Sequence, residues 1–158
     1  MAEPYDSLQP PQIAVTIRSL PRRVNEALAA LDLQDVSLDA NGVDGDSPLG
    51  IVDDIGRSLV VIDRGLEQTL LHEEPTVMAA VMDPAARTWE QPAGDRATTL
   101  AALDDAADEL AARIETAPSD SWQRSAQVAG GSTVTALAVA REAARTGVVG
   151  LRRLESFS

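Results

Sequence analysis

Apolar residues recur along this chain at spacings of three and four, in four separate stretches. Over residues 11–31 the stripe is Ile13, Ile17, Leu20, Val24, Leu28 and Leu31, which predicts a first amphipathic helix. Pro21 lies inside it. A proline lacks the N–H and crowds the turn before it, so a kink or restart is expected near Leu20. Residues 32–46 are polar, carry Asn41-Gly42 and Gly45, and read as a loop. Ser47 as N-cap with Pro48 at the first position opens a second helix to about Leu71. Its inner face is Ile51, Ile55, Leu59, Ile62 and Leu66. Gly50, Gly56 and Gly65 weaken its propensity and mark either close helix approach or a ligand-facing gap.

The stretch His72-Glu73-Glu74-Pro75-Thr76 ends that helix. Residues 77–97 contain a short apolar run and then Pro84, Trp89, Pro92 and Gly94, which predicts a short helix and an ordered crossover. The third long helix is expected over 98–115, with Leu100, Leu103, Ala107, Leu110 and Ile114 inside and Asp104, Asp105, Asp108 and Glu109 outside. Breaks at 117–120 and at Gly130-Gly131 precede a fourth helix, expected from Ser132 or Thr133 to about Leu154. Val134, Leu137, Ala144, Val148, Leu151 and Leu154 form its stripe, and Arg152-Arg153 suits its negative end. Four long helices with one long crossover between the second and third describe an all-α four-helix bundle. The expectation is a single domain over 1–158 with residues 1–10 as a flexible N-terminus.

Composition sharpens this. Aromatic residues make up only 3% of the chain, so the core must come from Ala, Leu, Val and Ile, which favours helices over a sandwich. The formal net charge of -12 opposes binding to nucleic acid or anionic lipid. The uniform use of arginine as the basic residue reads as codon bias. No apolar run approaches the roughly 20 residues of a membrane span. Residues 1–11 are acidic and lack the positive flank of a signal peptide, so a cytoplasmic location is expected, in keeping with the absence of cysteine.

The chain has one histidine, no cysteine and no lysine. That inventory removes thiolate nucleophiles, Schiff-base lysines and His/Cys metal cages. His72, beside Glu73 and Glu74, reads as an exposed histidine interacting with carbonyls at a helix end. The pairs Asp53-Asp54 and Asp104-Asp105 each aim at most one member inward, since neighbours on a helix point about 100° apart. No Glu-x-x-His pair exists for a di-iron site. Oxygen ligation of Mg²⁺ or Mn²⁺ stays open. Gly42-Val43-Asp44-Gly45 has no following lysine, and Gly130-Gly131-Ser132-Thr133 resembles a helix entry with a hydroxyl cap rather than a phosphate loop. Arginines at 57, 64, 141 and 145 are more informative. Asp54 precedes Arg57 by three residues and borders the inner stripe. A buried Asp54 would need a partner, and a fourth-helix arginine is the expected one.

Several segments, in order, resemble the DinB-like family, the damage-inducible bundles that include mycothiol-dependent maleylpyruvate isomerase. Ile17-Arg18-Ser19-Leu20-Pro21 looks like its first-helix entry. Ser47-Pro48-Leu49-Gly50-Ile51-Val52 resembles its second-helix start, with Asp46 in place of a tryptophan. His72 to Thr76 is similar to its acidic Pro-Thr turn, and Asp120-Ser121-Trp122-Gln123-Arg124 to its tryptophan–arginine turn. The resemblance implies a DinB-like four-helix bundle and a divalent metal held by three histidines. Carried over by position, those fall at Asp54, Thr146 and Gly150, none of which is histidine.

The leading expectation is therefore a bundle without metal or other cofactor. It would bind a small molecule or a protein in a pocket at the former metal site, lined by Asp54, Arg57, Ser58, Arg145, Thr146 and Gly150. The alternative is a thiol-dependent, mycothiol-type transferase or isomerase with an oxygen-ligated divalent metal or none. A third reading is a structural interaction partner, which predicts no pocket of ligand size. Related bundles pair through helix faces, so a homodimer is expected.

Overall fold

The computed structural model describes residues 4–39 and 46–157. Asn41, Gly42 and Gly45, read above as loop, lie outside them. Four long helices carry the architecture: α1 (Pro10–Leu33), α2 (Pro48–Leu71), α3 (Arg96–Thr116) and α4 (Ala136–Glu155). α3 and α4 each pack against both α1 and α2. The first two helices thus lie diagonally across the core, so the chain crosses the bundle from α1 to α2 and again from α3 to α4, while the long crossover segment joins the neighbours α2 and α3. The expected stripes are buried: Ile13, Ile17, Leu20, Val24, Leu28 and Leu31 on α1, and Ile51, Ile55, Leu59, Ile62 and Leu66 on α2. Each such side chain contributes about 1.5–3 kcal/mol when fully buried.

Two helix starts follow the capping chemistry of the sequence. Ser47 Oγ accepts from the Gly50 N–H at 3.0 Å, and Asp95 Oδ1 accepts from the Thr98 N–H at 2.7 Å. The Asp95 carboxyl is held below its usual range mainly by that backbone hydrogen bond. α1 runs unbroken through Pro21, so the expected restart does not occur. Its stripe is buried on both sides of the proline, and that packing offsets the lost hydrogen bond.

The fourth helix begins at Ala136, later than Ser132 or Thr133. Gly130-Gly131 is a hairpin turn rather than a helix entry, with Gly130 at φ +72°. It joins β2 (Ser125–Val128) to β3 (Thr133–Thr135), which pair antiparallel with Ala126 opposite Val134. β2 also pairs in parallel with β1 (Thr76–Val77), so a small three-stranded sheet joins the crossover to the α3–α4 connection. The cap is Thr135, whose Oγ1 accepts from the Ala138 N–H at 3.1 Å. Thr135→Ala is expected to cost about 1 kcal/mol in urea unfolding and Thr133→Ala much less, which checks where the helix starts.

The buried face of α4 also differs from the expected stripe. Val134, Leu137 and Val148 are half-buried, while the core line runs through Ala140, Ala143, Ala144, Gly147 and Gly150. Small residues let the helices close up. A Cβ on Gly147 would lie 2.5 Å from Leu20 Cδ1, and one on Gly150 2.5 Å from Ile55 Cγ1. On α2, Gly56 faces the Leu103 backbone of α3, as close helix approach predicts, whereas Gly65 faces Val81 of the crossover.

Beyond β1 the crossover forms two 3-10 turns, Ala79–Val81 and Pro84–Ala86, in place of the expected short helix. In the N-terminal stretch, Tyr5 is buried and Leu8 half-buried, while Asp6, Ser7 and Gln9 are exposed. The stretch forms a 3-10 turn, and Arg141 Nε donates to the Leu8 carbonyl at 2.9 Å. Carbonyls at the end of α2 are met by Arg124, which donates to Thr69 O and His72 O, so an arginine takes the capping role read for the His72 side chain. Arg18 of α1 clasps Asp108 at 2.7 Å and Glu115 at 2.6 Å on the wet side of α3. Among the described residues no helix is long and apolar enough to cross a membrane.

Candidate functional site

α2 and α4 meet where Gly150 receives Ile55, and the crossover covers α2 where Gly65 receives Val81. Helical phase of about 100° per residue sets Asp54 and Ser58 on the Gly65 side of α2, each within about 20° of it. On α4, Glu142 and Thr146 precede Gly150 at four-residue intervals and share its face.

Asp54 is half-buried, and its Oδ1 accepts from the Trp89 indole N–H at 2.8 Å. The expected fourth-helix arginine is not its partner. Arg57 does not pair with Asp54 either. It reaches one turn back to Asp53 at 2.9 Å, donates to the Pro92 carbonyl, and sets its guanidinium 6.0 Å from the Trp89 ring centroid. Asp54 and Arg57 are thus joined through one indole, which offers its N–H to the carboxylate and its face to the cation.

Arg145 and Thr146 are joined through Glu142. Arg145 bonds both Glu142 oxygens, its Nε at 2.7 Å from Oε1, and that carboxylate is the main reason its pKa is raised. Thr146 Oγ1 donates to Glu142 Oε2 at 3.2 Å and accepts from Arg87 Nη1 at 3.1 Å. Arg87 is the centre of this group. Its side chain is 3% exposed, and it pairs with Glu142 at 2.9 Å while donating to the carbonyls of Ala80 at 2.6 Å and Val81 at 3.0 Å. Such charge-assisted bonds to a buried carboxylate are the strong kind.

Ser58 belongs to neither group. It is 1% exposed and its Oγ has no hydrogen-bond partner. Gly150 offers no donor, and Ile55 fills the space beside it. Five of the six expected residues therefore form two polar knots and a packing contact, with Trp89 of the crossover tying one knot and Arg87 the other, and Ser58 stands apart. Arg87, Glu142 and Trp89 were not singled out by sequence reasoning. Glu142 had a signal, since it lies one helical turn before Thr146 on an otherwise small-residue face. Arg87 had none, because its side-chain partners are more than fifty residues away along the chain.

The chemistry open to this arrangement is narrow. Both Glu142 oxygens face arginines, the Asp54 carboxylate is engaged by an N–H, and the Ser58 hydroxyl has no base beside it. Among the described residues no group of three His, Cys, Asp or Glu side chains converges on a point that could hold a metal ion.

No family model matches the chain, and no curated protein matches it. Its structure is similar to that of YfiT from Bacillus subtilis, described as a probable metal-dependent hydrolase with an unusual four-helix bundle topology. The TM-score is 0.69 over 99% of this chain and 93% of that one, at 16% identity. A likeness at that identity shows the fold: an all-α four-helix bundle with a long crossover between its second and third long helices.

Proposed function

We propose that this bundle is a metal-independent binding protein in which a guanidinium stands where related bundles would hold a cation. One observation carries the reading: buried Arg87 lies 3.1 Å from Thr146 Oγ1 and 2.9 Å from Glu142 Oε2. A divalent ion ligated by Thr146 would sit against that fixed positive charge, in surroundings where like charges repel strongly. The other two positions fit an ion no better. Gly150 has no ligand atom, and with Oδ1 of Asp54 held by the Trp89 N–H the three positions offer one remaining carboxylate oxygen between them. A metal activates water or a thiol only when protein ligands fix it, so the reading favours binding over metal-assisted transfer or hydrolysis. A concave groove of about 570 Å³ at one end of the bundle counts against a purely structural role.

The test is elemental analysis of protein purified without a histidine tag, after dialysis against Zn²⁺, Mn²⁺ and Ni²⁺ in turn. Substoichiometric metal is expected throughout. One ion per chain, lost in the Asp54→Ala variant, overturns the proposal.

A further inference from the structure

The groove shares no residue with the Asp54 and Glu142 knots. It opens where the start of α1, the end of α3 and the start of α4 converge, and its volume is about 570 Å³. Single-ligand pockets span roughly 300–1,000 Å³. Pro10, Ile114, Trp122 and Leu137 supply apolar surface, with Ile114 and Trp122 buried in the core behind it.

Its polar groups narrow the ligand class. Ser119 and Gln123 on the rim are uncharged. The charged lining residue is Glu115, and both its oxygens are taken by Arg18, at 2.6 and 2.9 Å. Arg18 holds that carboxyl below its usual range, so it stays ionised and matched. A charged ligand entering the groove would lose hydration without gaining a free counter-charge. The start of α1 adds less pull on anions than most helix starts, because Pro10 and Pro11 bring no N–H donors there. The side chains of Gln9, Ser119 and Gln123 keep donors in reserve, and so does the one polar atom of the apolar lining: the Trp122 indole N–H bonds to no group among the described residues. An indole N–H can donate only.

We infer that this groove binds a neutral, mainly apolar carbonyl compound, such as an aromatic or acyl ester or amide. Its carbonyl oxygen accepts from the Trp122 indole while its apolar body lies against Ile114, Leu137 and Pro10. The inference rests on the binding role proposed above and names the ligand class that role would serve.

The chain's two tryptophans make the experiment direct. Trp122 lies in the groove, whereas the Trp89 indole is tied to Asp54, so in a ¹⁵N-correlated NMR spectrum the second indole signal is an internal control. The untagged protein is titrated with methyl 2-naphthoate, and separately with 2-naphthoate and with naphthalene. The ester is expected to shift the Trp122 indole signal saturably and leave that of Trp89 in place. The anion should bind at least about tenfold more weakly for want of a counter-charge. Naphthalene should bind without the downfield shift of a new hydrogen bond. Leu137→Gln should abolish the response; if that variant loses its Trp89 signal position, Ser119→Phe on the exposed rim serves instead. No saturable shift up to the solubility limit overturns the inference, as does equal binding of the anion or an equal shift at Trp89. Failure here with metal still absent removes the ligand class alone. A stoichiometric metal removes the binding role itself.

Discussion

Arg87→Met destabilises the fold by about 3–5 kcal/mol, the cost of leaving one member of a buried ion pair without its partner. Glu142 is 7% exposed, and in this variant its remaining cation is Arg145, which is itself partly open to solvent. The Ala80 and Val81 carbonyls lose their shared donor at the same time. For a chain of this size the loss corresponds to a fall in melting midpoint of about 6–20 °C. The double variant Arg87→Met/Glu142→Leu should recover much of that, because replacing both members by apolar groups removes the stranded charge. Chemical denaturation of the four members of this cycle measures the coupling. Additive single effects would mean that the pair is not the source of the loss.

Gly150→His restores the residue type that the family resemblance implies at this position, and it is expected to cost at least about 3 kcal/mol. The first added atom already meets Ile55 at 2.5 Å, and Ile55 is 1% exposed and cannot swing aside. Gly150→Ala separates the two contributions. Overpacking costs about 1–3 kcal/mol, while the gain in helix propensity returns about 1 kcal/mol, so the alanine variant is only mildly destabilised. Zn²⁺ should not raise the melting midpoint of Gly150→His. A ligand that binds only the folded state must raise it by mass action, so a zinc-dependent rise would show that the site can still hold a metal.

The backbone plan was legible where its causes are local. Ser47-Pro48 marks a helix start with two adjacent residues, and the α1 and α2 stripes repeat within single elements. The start of α4 was not legible in the same way. The sequence points to Ser132 or Thr133 as the start, and what moves the cap on to Thr135 is a hairpin whose β2 strand also pairs with Thr76-Val77, far back in the chain. The site shows the same division. Asp54, Thr146 and Gly150 could be placed by position along the helices, yet their partners Trp89, Arg87 and Ile55 are set by tertiary packing. Opposite charges can be matched over any sequence distance, and nothing in residues 84–92 says which helix Arg87 will meet. In the stripe expected for α4, Ala144, Leu151 and Leu154 are buried as expected, but Val134, Leu137 and Val148 are only half-buried, for a related reason. A stripe of alanine and glycine carries little hydrophobic contrast, though it governs how closely α1 and α2 approach.

The small sheet bears on how the covered face of α2 can ever be reached. β1 is pinned by parallel pairing to β2 at Gln127 and Val128, and the same segment is fastened again at Arg87 and Trp89. A segment held at three successive points has no free end about which to pivot. It cannot lift as a flap on a single hinge. Exposing Ser58 requires local unfolding in which the strand pairing, the buried guanidinium and the indole contact give way together. Such openings fall in the microsecond-to-second range, far slower than loop motion. Amide exchange at Val77, Val81 and Ala129 would then follow one shared opening event. The interior face between α2 and α4 is thus kinetically closed, while the groove at the bundle's end stands open to immediate encounter.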